Sequence, residues 1–251
     1  LSCSAQLTLR NAAYAPLLVP AAAGAWVPSN EGTVLMDLDA SVVNIPTGTA
    51  TNYWPDSSGN GYGASQTTAG YQPKFLDATQ GTNGFKCFLF DGTDDFMNVS
   101  NVFGSITAAT AFLVVCHDTD TDPAQNSNSP WRIGGSGQVS WFPHTSGIYD
   151  DFGSNTRRTD GGTYSAYVDN NKPYIITATA SASQWNLYIN NTNVITQGAQ
   201  TVAWDSSPTI SGNSTWVWKG VMYRLLIYSE ALDSTHRGNV ITQLKAIYGT
   251  P

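Results

Sequence analysis

From Thr33 onward the chain is built of short apolar runs separated by clusters of Gly, Asn, Asp, Ser and Pro, and this punctuation rules out most folds. Runs of five to nine residues rich in β-branched and aromatic side chains, bounded by turn formers, read as strands. The strongest are "TVLMDLDA", "KCFLF", "AFLVVC", "PYIITATA", "QWNLYIN" and "GVMYRLLIY". In "QWNLYIN", Trp185, Leu187 and Ile189 alternate with Asn186, Tyr188 and Asn190, which predicts one buried and one solvent-facing side. "NNTN" then turns the chain into the short return strand "VIT". The runs 112–116 and 221–228 are apolar on both faces apart from Arg224, as expected of central strands covered on both sides. One helix is predicted after "SEALD", with Asp233 or Ser234 as its cap and Gly249 as its stop. The expected fold is all-β: a two-sheet antiparallel jelly-roll sandwich over residues 33–251, with one C-terminal helix.

Residues 1–32 follow a different rule. They are rich in Ala, Pro and Leu, and Pro16, Pro20 and Pro28 interrupt any regular element. They are expected to form an extended N-terminal arm that gains order by lying on a neighbouring structural protein, so that the chain works within an oligomeric assembly.

Composition excludes several functions. Charged residues are 12% of the chain, about half the usual share, and the formal net charge is -7. Binding to nucleic acid needs clustered Lys and Arg and is not expected. No stretch approaches the ~20 apolar residues of a membrane span. The three cysteines, Cys3, Cys87 and Cys116, cannot all pair within one chain, and Cys116 in "AFLVVC" reads as a buried free thiol.

Three segments in order resemble the concanavalin A-like lectin/glucanase superfamily, in its laminin-G-like bacterial and phage branch: "LMDLDAS" with "YWPDSSGNGYGA", then "FKCFLFDGTDDFMNV", then "KGVMYRLLIYSEALDSTHRGNVITQLKAIYG". The resemblance covers about residues 33–249 and implies an extracellular or virion-surface module that recognises carbohydrate. In the first motif Gly59, Asn60 and Gly61 suit positive φ angles, Asp56 can bond the turn's amides, and Trp54 is expected beneath it as a core ring. In the second, Asp91-Gly92 reads as a hairpin turn, with Asp94 and Asp95 at its exit; the three carboxylates could alternatively hold a cation.

Catalysis is not expected. The glucanase relatives carry paired glutamates about 5 Å apart, whereas this chain has only Glu31 and Glu230, far apart in sequence. Asp150 and Asp151 are adjacent, and on a strand they would point to opposite faces. The histidines His117, His144 and His236 stand in unrelated settings, and neither a G-x-S-x-G element nor zinc-ligand spacing is present. A calcium ion is a candidate cofactor, because "DTDTDPAQNSN" places Asp118, Asp120 and Asp122 at alternate positions. The expected glycan or cell-surface polysaccharide site lies in Trp141–Tyr167, where Trp141, His144, Tyr149, Asp151, Arg157 and Arg158 combine rings with charges of both signs. Trp216 and Trp218, on one side of an extended run, form a second candidate, though both rings also suit the core. The readings that remain are a binding module, a structural attachment protein anchored by residues 1–32, and, third, a glycan-cleaving enzyme.

Overall fold

A computed structural model describes residues 26–118, 128–144, 147–159, 172–214 and 216–251. In chain order the strands are β1 (Val34–Asp39), β2 (Tyr53–Trp54), β3 (Ala64–Ser65), β4 (Lys74–Leu76), β5 (Cys87–Asp91), β6 (Met97–Val99), β7 (Ala108–His117) and β8 (Trp131–Gly134). There follow β9 (Trp141–His144), β10 (Gly147–Asp150), β11 (Arg158–Thr159), β12 (Tyr174–Ser181), β13 (Trp185–Ile189), β14 (Thr192–Gln197), β15 (Trp204–Ile210), β16 (Lys219–Tyr228) and the helix α1 (Ser234–Tyr248).

The long apolar runs become the middle of one sheet. An eight-stranded antiparallel sheet runs β14-β13-β12-β7-β16-β5-β4, with β1 also on β16. Strand β16 lies against β7 along one edge, and its other edge is shared by β5 over its first half and β1 over its second. A five-stranded sheet, β2-β3-β6-β15-β8, packs opposite, and a three-stranded sheet, β11-β10-β9, stands beside it. The period of two along β7 sorts its side chains between two cores. Ala109, Ala111, Leu113 and Val115 enter the core between the sheets, with Trp54, Phe88, Trp131 and Trp185. Phe112, Val114 and Cys116 enter a second core beneath α1, with Tyr223, Leu226, Val240, Ile241 and Leu244. This second layer is why runs 112–116 and 221–228 are apolar on both faces.

The helix begins at Asp233, whose carboxylate accepts the His236 amide, and stops at Gly249, in the left-handed region at φ 63°. Its apolar stripe is Val240, Ile241, Leu244 and Tyr248, while Ile247 remains exposed. Trp54 is fully buried as expected. Asp56 accepts bonds from the amides of Asp37, Ser58 and Tyr62, each at 2.9 Å. Asn190 and Asn191, both at positive φ, close the turn between β13 and β14.

Three expectations are corrected. Asn186 and Tyr188 are buried too: Arg237 of α1 stacks on the Tyr188 ring at 4.1 Å, and the Asn186 side chain donates to the buried Thr179 hydroxyl at 3.3 Å. The Asp91-Gly92 turn closes no hairpin: it carries the chain from β5 in one sheet to β6 in the other. Cys116 is disulfide-bonded rather than free, since an apolar setting conceals a half-cystine as readily as a thiol. Cys87 is the free cysteine among the described residues, and burial pushes its thiol up to about 12.

The arm expected over residues 1–32 falls outside the described residues as far as residue 25. Its last part is tied to the sandwich. Trp26 packs on the helix-side core, Tyr228 donates to the Pro28 carbonyl at 3.0 Å, and Asn239 on α1 donates to Glu31 at 3.0 Å. The chain's two glutamates line one cleft, and Glu230 accepts the Thr33 amide at 2.7 Å. No helix among the described residues is long and apolar enough to cross a membrane.

Candidate ligand-binding site

The three-stranded sheet is held on a buried aromatic layer. Phe142 on β9 and Ile148 on β10 point inward, and Trp131 on β8 packs on Phe142 and Phe152 with ring centroids 6.3 and 5.7 Å apart. Alternation then turns Trp141 and Tyr149 to the other side. They face each other as cross-strand partners, with ring centroids 5.7 Å apart. Trp216 joins them, 5.1 Å from Trp141. Its position is fixed by Asn213, whose side chain accepts the Trp216 amide at 3.0 Å while its own amide donates to the Trp216 carbonyl at 2.9 Å. The turn before it needs Gly212: φ is 62°, and a Cβ there would lie 1.9 Å from the Trp216 carbonyl oxygen.

Arg157, just ahead of β11, completes the group. Its guanidinium carbon lies 4.2 Å from the centroid of Trp141 and 5.6 Å from that of Tyr149. One amino group donates to the Val139 carbonyl. Trp141, Tyr149, Arg157 and Trp216 are all half-buried, so each leaves part of its surface to solvent. Together they form a platform of inclined rings, Tyr149 and Trp216 at 77° and 54° to Trp141, with the guanidinium over the Trp141 ring, suited to an apolar ring face that also carries polar groups.

Two carboxylates lie beneath. Asp150 is fully buried and accepts from Trp131 Nε1 at 2.6 Å, from the Ser140 hydroxyl and from the Phe152 amide at 3.2 Å. Burial raises its pKa despite these donors. Asp151 is 1% exposed, too little for a ligand to reach. Its Oδ2 accepts from Ser136, and its Oδ1 has no partner among the described residues. Burial first, and the neighbouring Asp150 second, push its pKa to about 7. Gly134 makes room for this turn, since a Cβ there would meet the Asp151 carbonyl oxygen at 1.9 Å. The glycine-rich "GGSGQ" is thus a cradle for a buried carboxylate.

Of the residues expected in the site, the fold gathers Trp141, Tyr149, Arg157 and Trp216, and sets Asp151 below them. Arg158 is turned elsewhere, over the Trp185 ring at 5.7 Å and bonded to Gln200. Trp218 belongs to the core: it is fully buried, 4.0 Å from the His117 ring. His117 in turn bonds the Tyr174 hydroxyl, and burial pulls its pKa down to about 3. The backbone of His144 pairs with Gly147, and its side chain lies outside the described structure.

The expected calcium loop extends beyond the description as well. Asp118 is buried at the end of β7, while Asp120 and Asp122 are not among the described residues. Asp91, Asp94 and Asp95 do converge, with ligand atoms within 4.8 Å of one another. Sequence reasoning missed the support given by Trp131, Ser136, Val139 and Ser140. Nothing in their spacing marks it; only the turn from β8 to β9 brings them under β10.

The sequence matches no family model and no curated protein. Solved structures share the fold. The binding domain of Paraclostridial Mosquitocidal Protein 1 aligns at a TM-score of 0.59 and 14% identity, over 87% of this chain and 55% of that one. Domain 4 of AbnA, a GH43 extracellular arabinanase from Geobacillus stearothermophilus, in complex with arabinotriose, aligns at 0.59 and 13%, over 84% of this chain and 98% of that one. A Trypanosoma rangeli sialidase aligns at 0.57 and 15%, over 92% of this chain and 36% of that one. This chain therefore spans about half of the toxin domain and a third of the sialidase, but nearly all of the arabinanase domain. At these identities the likeness establishes the antiparallel β-sandwich.

Proposed function

We propose that this chain is a non-catalytic carbohydrate-binding module of the concanavalin A-like, laminin-G-like kind, acting outside the cell on a secreted bacterial protein or a phage virion. The observation that carries the reading is the platform of inclined rings from Trp141, Tyr149 and Trp216, with Arg157 over Trp141. Sugar C–H faces stack on aromatic rings, while guanidinium donors fix oxygens. The arabinanase domain, determined with arabinotriose, supports the reading, because this chain spans nearly the whole of it. The oxidised Cys116 supports an oxidising compartment. Binding without turnover fits the two buried carboxylates, which solvent does not reach.

A glycan array on the whole chain, followed by calorimetry on its best ligand, tests the proposal. Trp141→Ala and Trp216→Ala are expected to weaken that ligand at least tenfold each, about 1.4 kcal/mol or more. Sugar binding that survives both substitutions would move the site elsewhere, and an array with no ligand would end the reading. Release of reducing sugar from a bound glycan would overturn its non-catalytic part.

A further inference from the structure

Among the described residues Arg157 has no carboxylate paired with it. An arginine offers five N–H donors in a fixed fork and stays charged at any ordinary pH. One donor is spent on the Val139 carbonyl, and among the described residues no carboxylate stands within ion-pair distance of this guanidinium. The other described arginines near acids are used differently: Arg132 pairs with Asp205 at 2.8 Å and Arg224 with Asp37 at 2.7 Å. The carboxylates nearest in field to Arg157 are Asp150 and Asp151, and burial keeps both from ionising at their ordinary pH. Burial of the guanidinium draws its pKa below the usual value, and the charges of Asp151 and Asp150 offset this only in part. A positive group held on an aromatic platform, with no ion-pair partner among the described residues, is complementary at short range to an incoming anion.

We propose that the platform takes an acidic sugar, a uronic- or sialic-acid-type residue whose ring packs on Trp216 beside Trp141 and whose carboxylate meets the Arg157 guanidinium. The inference rests on the carbohydrate reading and narrows it. A planar carboxylate matches the guanidinium fork with two parallel bonds, which a neutral hydroxymethyl group cannot reproduce.

The test compares matched ligands on the whole chain by calorimetry: oligogalacturonate against its carboxyl-reduced counterpart, and sialyllactose against lactose. At least one acidic member should bind tenfold or more tightly than its neutral partner, with the difference shrinking as salt is raised. Arg157→Gln should bring that acidic ligand down to the level of the neutral one, and Arg157→Lys should keep part of the preference. The wild-type comparison needs no variant, so the proposal stays testable if Arg157→Gln misfolds. Equal binding of acidic and neutral partners overturns the proposal and leaves the carbohydrate reading standing. A preference that Arg157→Gln does not change overturns it as well. Failure of all four ligands, on a chain that binds a neutral glycan of the array, overturns it alone; failure of every glycan overturns both.

Discussion

Replacing Asp151 by asparagine should change the slope of stability with pH, and the size of the change follows from the burial of one carboxyl group. Asp151 is 1% exposed, and its pKa is raised from 3.8 to about 7. Between those values the folded chain holds a proton that the unfolded chain has released. Stability therefore falls as pH rises through this window, by up to about 1.4 kcal/mol per pH unit. Over the whole interval the loss approaches ~4 kcal/mol, complete above pH 7 and absent below the unfolded value. Asp95, raised to about 7 by burial and by Asp91 and Asp94, acts in the same direction. His117, lowered to about 3, acts in the opposite one: below about 6.5 the unfolded chain takes up a proton that the folded chain refuses. These two contributions cancel when variant and wild type are compared at each pH. The introduced side-chain amide can still accept from Ser136, and any cost of its unpaired NH2 is the same at every pH. Urea denaturation followed by far-ultraviolet circular dichroism, from pH 4 to 8, measures the difference. Asp151→Asn should gain about 2–4 kcal/mol on the wild type between the two ends of that range. Parallel profiles would refute the argument and place a charged, compensated Asp151 in the folded state.

Two further substitutions probe the scaffold. Arg224→Leu strands Asp37 and Asp39 at 5% and 8% exposure after removing a bidentate pair at 2.8 and 2.7 Å, so a loss of about 3–5 kcal/mol is expected by urea denaturation; a loss under about 1 kcal/mol would contradict it. Asp56→Ala removes the acceptor of three amides and the Ser58 hydroxyl, and should cost about 4 kcal/mol, at roughly 1 kcal/mol for each of the four bonds. An unchanged melting temperature would show that the turn holds without it.

The class of fold was legible in the chain alone. Alternation and turn chemistry are local properties, so the β13–β14 turn at Asn190-Asn191, the Asp56 turn and the capped helix from Asp233 to Gly249 were all readable from neighbouring residues. The doubly apolar runs at 112–116 and 221–228 likewise announced central strands. Local signals also named the rings and charges of the site, but not which of them meet. Trp216 and Trp218 look alike in sequence; Gly212 and Asn213 set the first beside Trp141, while the second sinks onto His117. Arg157 and Arg158 are adjacent, yet one strand register sends the first to the platform and the second to Trp185. Asp151 reads as a ligand-binding carboxylate until the β8–β9 turn is folded beneath it. Folding in three dimensions settled these points, because burial depends on which distant segment covers a residue, and the partners here come from separate stretches of chain.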